Sequence, residues 1–264
     1  MLHNTKFRQR SRNGCLQLFF KADIYVIYTY YALFRLAIRK FIELNSKILH
    51  FKMSLIDTIQ SYSEQPLNKQ LLLNILKEYK RPYDKIGELV KQDILIQIKK
   101  GLYIPGKNLK VQGPERFLIA NHLHGPSYVS SDSALSHWGF IPERVYEISS
   151  TTTMLSKQYK TPVGRFSYTH MELPYYCFGI RHVALTEKQT VLMASPEKAI
   201  CDKIITTSGV LLRSVRQTLD LLIEDFRIDK QLLQELDSIA ISSWLEKAPK
   251  KNSLRILVKT LNSL

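Results

Sequence analysis

The sequence predicts an α+β fold in two parts: three short helices closed by a β-hairpin, then a larger domain with a mainly antiparallel sheet and helices at its C-terminal end. Three observations carry that prediction. The stretch RPYDKIGELVKQDILIQIKKGLYIP, residues 81–105, switches from helical to alternating apolar spacing and turns at a lysine pair and a glycine. Residues 145–194 hold short aromatic and β-branched runs spaced by turn residues. Beyond Gly209, apolar residues recur at helical spacing as far as Leu261.

Residues 1–52 read apart from the rest. They hold ten Lys or Arg against Asp23 and Glu43, more than half of the formal net charge of +15. Their longest apolar run, residues 24–34, contains four tyrosines and a threonine, which is too short and too polar for a membrane span. No small-residue cleavage site follows it, as a secretory signal would need. Met53 is therefore expected as the start of the protein, with residues 1–52 an overextended frame or a disordered or amphipathic extension. No stable membrane association is expected, and the charge total says little about a polyanionic partner.

From residue 53 the helix signals are orderly. Ser54 caps a first helix with Leu55, Ile56 and Ile59 as its apolar stripe, and Pro66 ends it. Asn68 caps a second, with Leu71, Leu72, Ile75 and Leu76 inward. Pro82 opens a third, because its missing N–H costs nothing in a first turn, and Ile86, Leu89 and Val90 share a face. Ile94, Ile96 and Ile98 then alternate with Leu95, Gln97 and Lys99, Lys100 and Gly101 turn, and Leu102 begins the returning strand. Three helices and a hairpin within residues 53–105 make a winged helix-turn-helix.

In this module eight Lys or Arg stand against six Asp or Glu, so its basic residues matter by position rather than by number. They gather at Lys80, Arg81 and Lys85 near the third helix start and at Lys99 and Lys100 in the wing. Those are the places where a winged helix meets the major groove and the phosphates, with Tyr83 and Gln92 as added polar contacts. Asp84 and Glu88 on the same helix oppose phosphate. Dimerisation on DNA would compensate for modest affinity.

Residues 106–113 read as a linker and 114–264 as the second domain. Pro114 starts a helix through PERFLIANHLHG, a strand runs over residues 128–130, and a small helix ends at Trp138 and Gly139. Strands follow at residues 145–150 and in GRFSYTHM, YYCFGI, HVALT and QTVLMA, before Ser195 and Pro196 open the helix SPEKAICDKIITT.

Catalytic signals are sparse. His122 and His124 fall on different helix faces, His170 and Glu172 have no third partner in sequence, Cys177 with His170 or His182 is a conceivable nucleophile pair for which a structural role is favoured, and Cys201 beside Asp202 suits a small core residue of a helix. Glu143, Glu147 and Lys157 are the residues a nuclease reading would need. No glycine-rich phosphate loop, GxSxG, HExxH or CxxC is present, so no catalytic residue, metal or cofactor is expected. Three scattered cysteines fit a reducing cytoplasm.

Several stretches resemble the AbiEi-type antitoxins of bacterial abortive-infection (type IV) toxin-antitoxin systems. They are KKGLYIPG, GPSYVSSDSALSHWGFIPERVYEISSTTT, TPVGRFSYTHM with YYCFGI, and ASPEKAICD, over residues 53–226. The resemblance implies a cytoplasmic, non-enzymatic transcriptional regulator of phage defence. A winged helix represses its own operator, and a second domain counters a nucleotidyltransferase toxin without a tight complex. Carried over by position, the DNA contacts are Lys80, Arg81, Tyr83, Lys85, Lys99 and Lys100. Two other classes stay open: a ligand-sensing regulator with a pocket drawn from Tyr128, Trp138, Tyr146 and Phe166, and a nuclease or transferase in the sheet domain.

Overall fold

The computed structural model describes residues 35, 36, 38–40, 54–142 and 145–264. The expectation for residues 1–52 lies outside the described residues apart from 35, 36 and 38–40, which are helical and exposed, and Glu143 lies outside them too.

Three helices come first: α1 (Leu55–Ser61), α2 (Lys69–Ile75) and α3 (Pro82–Lys91). Asn68 caps α2 as expected, its side-chain oxygen accepting the Leu71 N–H at 2.8 Å. Pro82 sits in the first turn of α3. The hairpin follows as β2 (Leu95–Lys99) and β3 (Leu102–Pro105), with Gly101 at φ 85° in the turn, a conformation glycine adopts without strain. A two-residue strand, β1 (Leu67–Asn68), pairs antiparallel with β3 and completes a sheet of order β1-β3-β2.

That hairpin is packed on both faces, because the period of two sends alternate side chains opposite ways. Leu95 and Tyr103 join a small core of Ile59, Leu67, Leu72, Leu76, Ile86, Leu89 and Leu109. Ile98, Leu102 and Ile104 join the large core of the remaining chain. Residues 106–113, expected as a linker, include a 3-10 turn, Lys107–Leu109, that buries Leu109 in the small core. Residues Leu55–Leu264 accordingly form one compact unit.

The rest is mixed α and β: α4 (Arg116–Leu123), β4 (Ser127–Val129), α5 (Ser131–His137), β5 (Glu147–Thr152), β6 (Lys157–Thr161), β7 (Gly164–His170), β8 (Ile180–Ala184), β9 (Thr190–Ala194), α6 (Pro196–Thr206), and then α7 (Val215–Asp220), α8 (Lys230–Gln234), α9 (Ser238–Trp244) and α10 (Lys251–Leu261). The sheet order is β6-β7-β5-β4-β9-β8, with β5/β7 and β4/β9 parallel and the other three pairings antiparallel. Largely antiparallel pairing was expected; β6 was not, since KQYKT is a polar edge strand without apolar alternation. YYCFGI is not a strand throughout. Tyr175–Cys177 forms a 3-10 turn, and the adjacent Tyr175 and Tyr176 are both buried, which strand alternation would forbid against a single core face. Among the described residues no helix is long and apolar enough to cross a membrane.

Candidate nucleic-acid interface

Helix α3 buries Ile86 and Leu89 and turns Tyr83, Asp84, Gly87, Glu88 and Lys91 outward. Lys80 and Arg81 precede its N-terminus, where unpaired N–H groups and the helix dipole favour an anion. Two of the expected cations are engaged locally. Arg81 pairs with Asp84 at 3.3 Å, and Lys85 with Glu88 at 2.7 Å, which holds the Lys85 ammonium above its usual range. Exposed i,i+3 pairs of this kind contribute little to stability and exchange readily for a phosphate. Tyr83 is 59% exposed. Lys80 and Lys100 are exposed, and no carboxylate pairs with either among the described residues.

Lys99 differs from the expectation for a wing-tip contact. Its ammonium donates to the Leu123 carbonyl at the end of α4, and burial, with the Lys157 ammonium a smaller contribution, lowers its proton affinity. The hairpin lies against the larger domain through Ile98, Leu102 and Ile104, so Lys99 is spent on that seam. Lys100 and Gly101 form the exposed end.

Lys69 was not among the expected contacts. Its backbone N–H donates to Gly101 O at 2.9 Å, and its ammonium lies 4.8 Å from the centre of the Tyr83 ring. This brings the hairpin turn, the start of α2 and the exposed aromatic of α3 together, with cation–π contact holding the ring. The only sequence signal was a lysine directly after a helix cap, which ordinarily reads as solvated.

Gly87 sits on the outer face of α3, and a Cβ there meets nothing within 4 Å. Gly87→Ala is expected to raise stability by about 0.5–1 kcal/mol, read by urea unfolding, because glycine inside a helix is entropically costly. If this face approaches DNA, the same methyl weakens binding; a stability gain with unchanged affinity would take Gly87 out of the interface.

Among the described residues considered for catalysis, no hydrogen bond or ion pair joins one to another. β7 lies between the strands of Glu147 and Lys157, pairing Arg165 with the first and Tyr168, three residues further along, with the second. His122 is partly buried, which lowers its proton affinity, while His124 touches Tyr159 OH through Nδ1 and Leu155 O through Nε2, each at 3.2 Å. His170 Nδ1 meets Met154 O at 3.0 Å. Cys177 is exposed, and Cys201 is buried with its thiol pushed up by desolvation. The described residues contain no group of three His, Cys, Asp or Glu able to hold a metal.

One polar constellation does assemble, and it is closed to solvent. Lys198 and Asp202, one turn apart on α6, are both 0% exposed and paired at 3.1 Å. Asp202 Oδ2 accepts from Ser130 Oγ at 2.7 Å, Tyr128 OH at 2.9 Å and Thr151 Oγ1 at 3.4 Å. Lys198 donates to Tyr175 O at 2.9 Å and lies 3.2 Å from the centre of the Tyr175 ring. Burial lowers the Lys198 proton affinity, and Asp202 opposes that shift. Desolvation first, then the Asp202 charge, raises the Tyr128 phenol well above its ordinary value. The motifs GPSYVSSDS, ISSTTT and ASPEKAICD thus meet on one buried ion pair, with Tyr175 beside them, tying β4, β5 and the 3-10 turn to α6. All of these side chains are buried in the domain interior.

The clefts found among the described residues are lined by none of Tyr128, Trp138, Tyr146 and Phe166. Tyr128 and Phe166 are buried, Trp138 Nε1 donates to Ala194 O at 2.8 Å, and Tyr146 is 83% exposed. A surface cleft of about 240 Å³ lies elsewhere, against Glu115, Arg116, Phe117, Ser133, Ser136, Val145 and Ile148. Comparison with known protein families finds no match for this chain, and comparison with curated proteins finds none either.

Proposed function

We propose that residues 55–105 are a winged helix-turn-helix that binds duplex DNA, and that the protein is a cytoplasmic antitoxin-type repressor of its own operon. The observation that carries the DNA reading is the order α1-β1-α2-α3-β2-β3 with its β1-β3-β2 sheet. In that arrangement α3 is the recognition helix and the β2–β3 turn the wing. Tyr83, Gly87 and Lys91 line the exposed face of α3, while Lys69, Lys80, Arg81 and Lys100 supply the cations around it. The pairs Arg81–Asp84 and Lys85–Glu88 temper the charge, so that affinity depends on few phosphates and gains from two copies on neighbouring half-sites.

The antitoxin part rests on the resemblance of residues 53–226 to AbiEi-type proteins. Antagonism of a nucleotidyltransferase toxin then belongs to the larger domain, without enzymatic chemistry of its own.

The test is a binding titration on the chain's own promoter duplex across a salt series. Lys80→Ala with Lys100→Ala is expected to weaken binding and reduce the log–log salt slope by about two, near 0.9 for each phosphate that is no longer neutralised. Lys99→Ala should act chiefly through the hairpin seam and not through the slope. An unchanged slope in the Lys80/Lys100 pair would remove these two lysines from phosphate contact. For the antitoxin reading, co-expression with a nucleotidyltransferase encoded next to this gene should relieve growth arrest; failure there leaves a DNA-binding regulator alone.

A further inference from the structure

The hairpin is sandwiched between the two cores, so its turn is held at a set position against the large sheet. From the hairpin, a line of contacts leads onto that sheet. The Lys99 ammonium donates to Leu123 O, and the next residue, His124, touches the Tyr159 hydroxyl at 3.2 Å. Tyr159 belongs to β6, and the Lys157 ammonium lies 4.9 Å from its ring centre. β6 is an edge strand, and Lys157, Gln158 and Lys160 on it are exposed. Among the described residues, no carboxylate pairs with Lys99, Lys100 or Lys157.

We propose that the DNA-binding surface does not end at the wing but continues onto β6 of the larger domain, where Lys157, steadied over Tyr159, contacts a backbone phosphate beyond the one met by Lys100. Lys99 and Lys157 carry like charges and repel, and burial first and the Lys157 charge second lower the proton affinity of Lys99. An anion placed between the wing and β6 relieves that repulsion. A duplex backbone supplies anions at regular intervals along a rigid line, which suits cations mounted on a single compact unit. Tyr159 gives Lys157 a fixed perch through its ring face. The larger domain would thereby lengthen the footprint and set the angle at which α3 enters the groove.

The extension onto β6 rests on the DNA reading above, and the experiment separates the two. Fluorescence anisotropy with the promoter duplex, over a salt series, compares wild type, Lys157→Ala, Lys157→Arg and the Lys80/Lys100 double alanine variant. Lys157→Ala is expected to bind several-fold more weakly at about 0.1 M salt and to reduce the slope by about 0.9, while Lys157→Arg retains the wild-type slope. Equal thermal midpoints for Lys157→Ala and wild type exclude a folding defect as the cause. A slope unchanged in Lys157→Ala but reduced in the double variant overturns the extension onto β6 and leaves the winged module as the whole contact. Absence of duplex binding by the wild-type chain overturns both.

Discussion

Asp202→Ala is expected to lower stability by about 3–5 kcal/mol, because removing one partner of a buried ion pair strands the other charge. In this chain the stranded group is Lys198, fully buried, with Tyr175 O as its remaining hydrogen-bond acceptor. The substitution also leaves the Tyr128 and Ser130 hydroxyls without the carboxylate that accepts from both. For a unit of this size the thermal midpoint should fall by roughly 6–20 °C, at about 2–4 °C per kcal/mol. Lys198→Met combined with Asp202→Leu should be milder than Asp202→Ala alone, since an apolar pair of similar volume avoids the unpaired charge. Urea unfolding of wild type, single and double variants measures this. A loss below about 1 kcal/mol for Asp202→Ala would mean that water reaches Lys198 and the centre is not closed.

Gly106→Ala is expected to cost about 3 kcal/mol, at the upper end of overpacking effects. The φ of Gly106 is −86°, which any residue adopts, so the penalty is steric and not conformational. A Cβ there would stand 1.9 Å from the Asp93 carbonyl oxygen and 2.8 Å from the Ile94 carbonyl carbon, which are backbone atoms unable to rotate away. The same backbones are joined at this point: Gly106 N–H donates to Ile94 O at 2.8 Å, and Asn108 N–H to Asp93 O at 3.2 Å. Displacing them shifts the base of the β2–β3 hairpin against α3. Chemical denaturation of Gly106→Ala tests it, and a cost under about 0.5 kcal/mol would show that this junction yields without strain. The final glycine of KKGLYIPG is thereby accounted for by close backbone approach, much as Gly101 is by its turn.

Much of the fold was legible in the chain. The three short helices, the Asn68 cap, the Ser195 cap of α6 and the hairpin follow from capping chemistry and apolar period, which are local properties. β1 was missed because two residues carry no period, and β6 because KQYKT shows no apolar alternation. The 3-10 turn at Tyr175–Cys177 was misread as strand because aromatic content favours strands, while its consecutive buried tyrosines follow from packing.

The candidate interface was legible in part. The sequence by itself determined that α3 is followed by a hairpin with a basic turn and that few cations surround it, since these depend on neighbours in the chain. Only the tertiary structure decided which of those cations face outward. Lys99 and Lys100 are adjacent and chemically alike, yet the first is drawn to the Leu123 carbonyl because the hairpin's second face packs on another layer, and the second is left at the tip. Lys198 and Asp202 present the same case in the interior. Their i,i+4 spacing places them on one helix face, and it is the convergence of β4, β5 and the Tyr175 turn on α6, contacts far apart in sequence, that removes water from the pair.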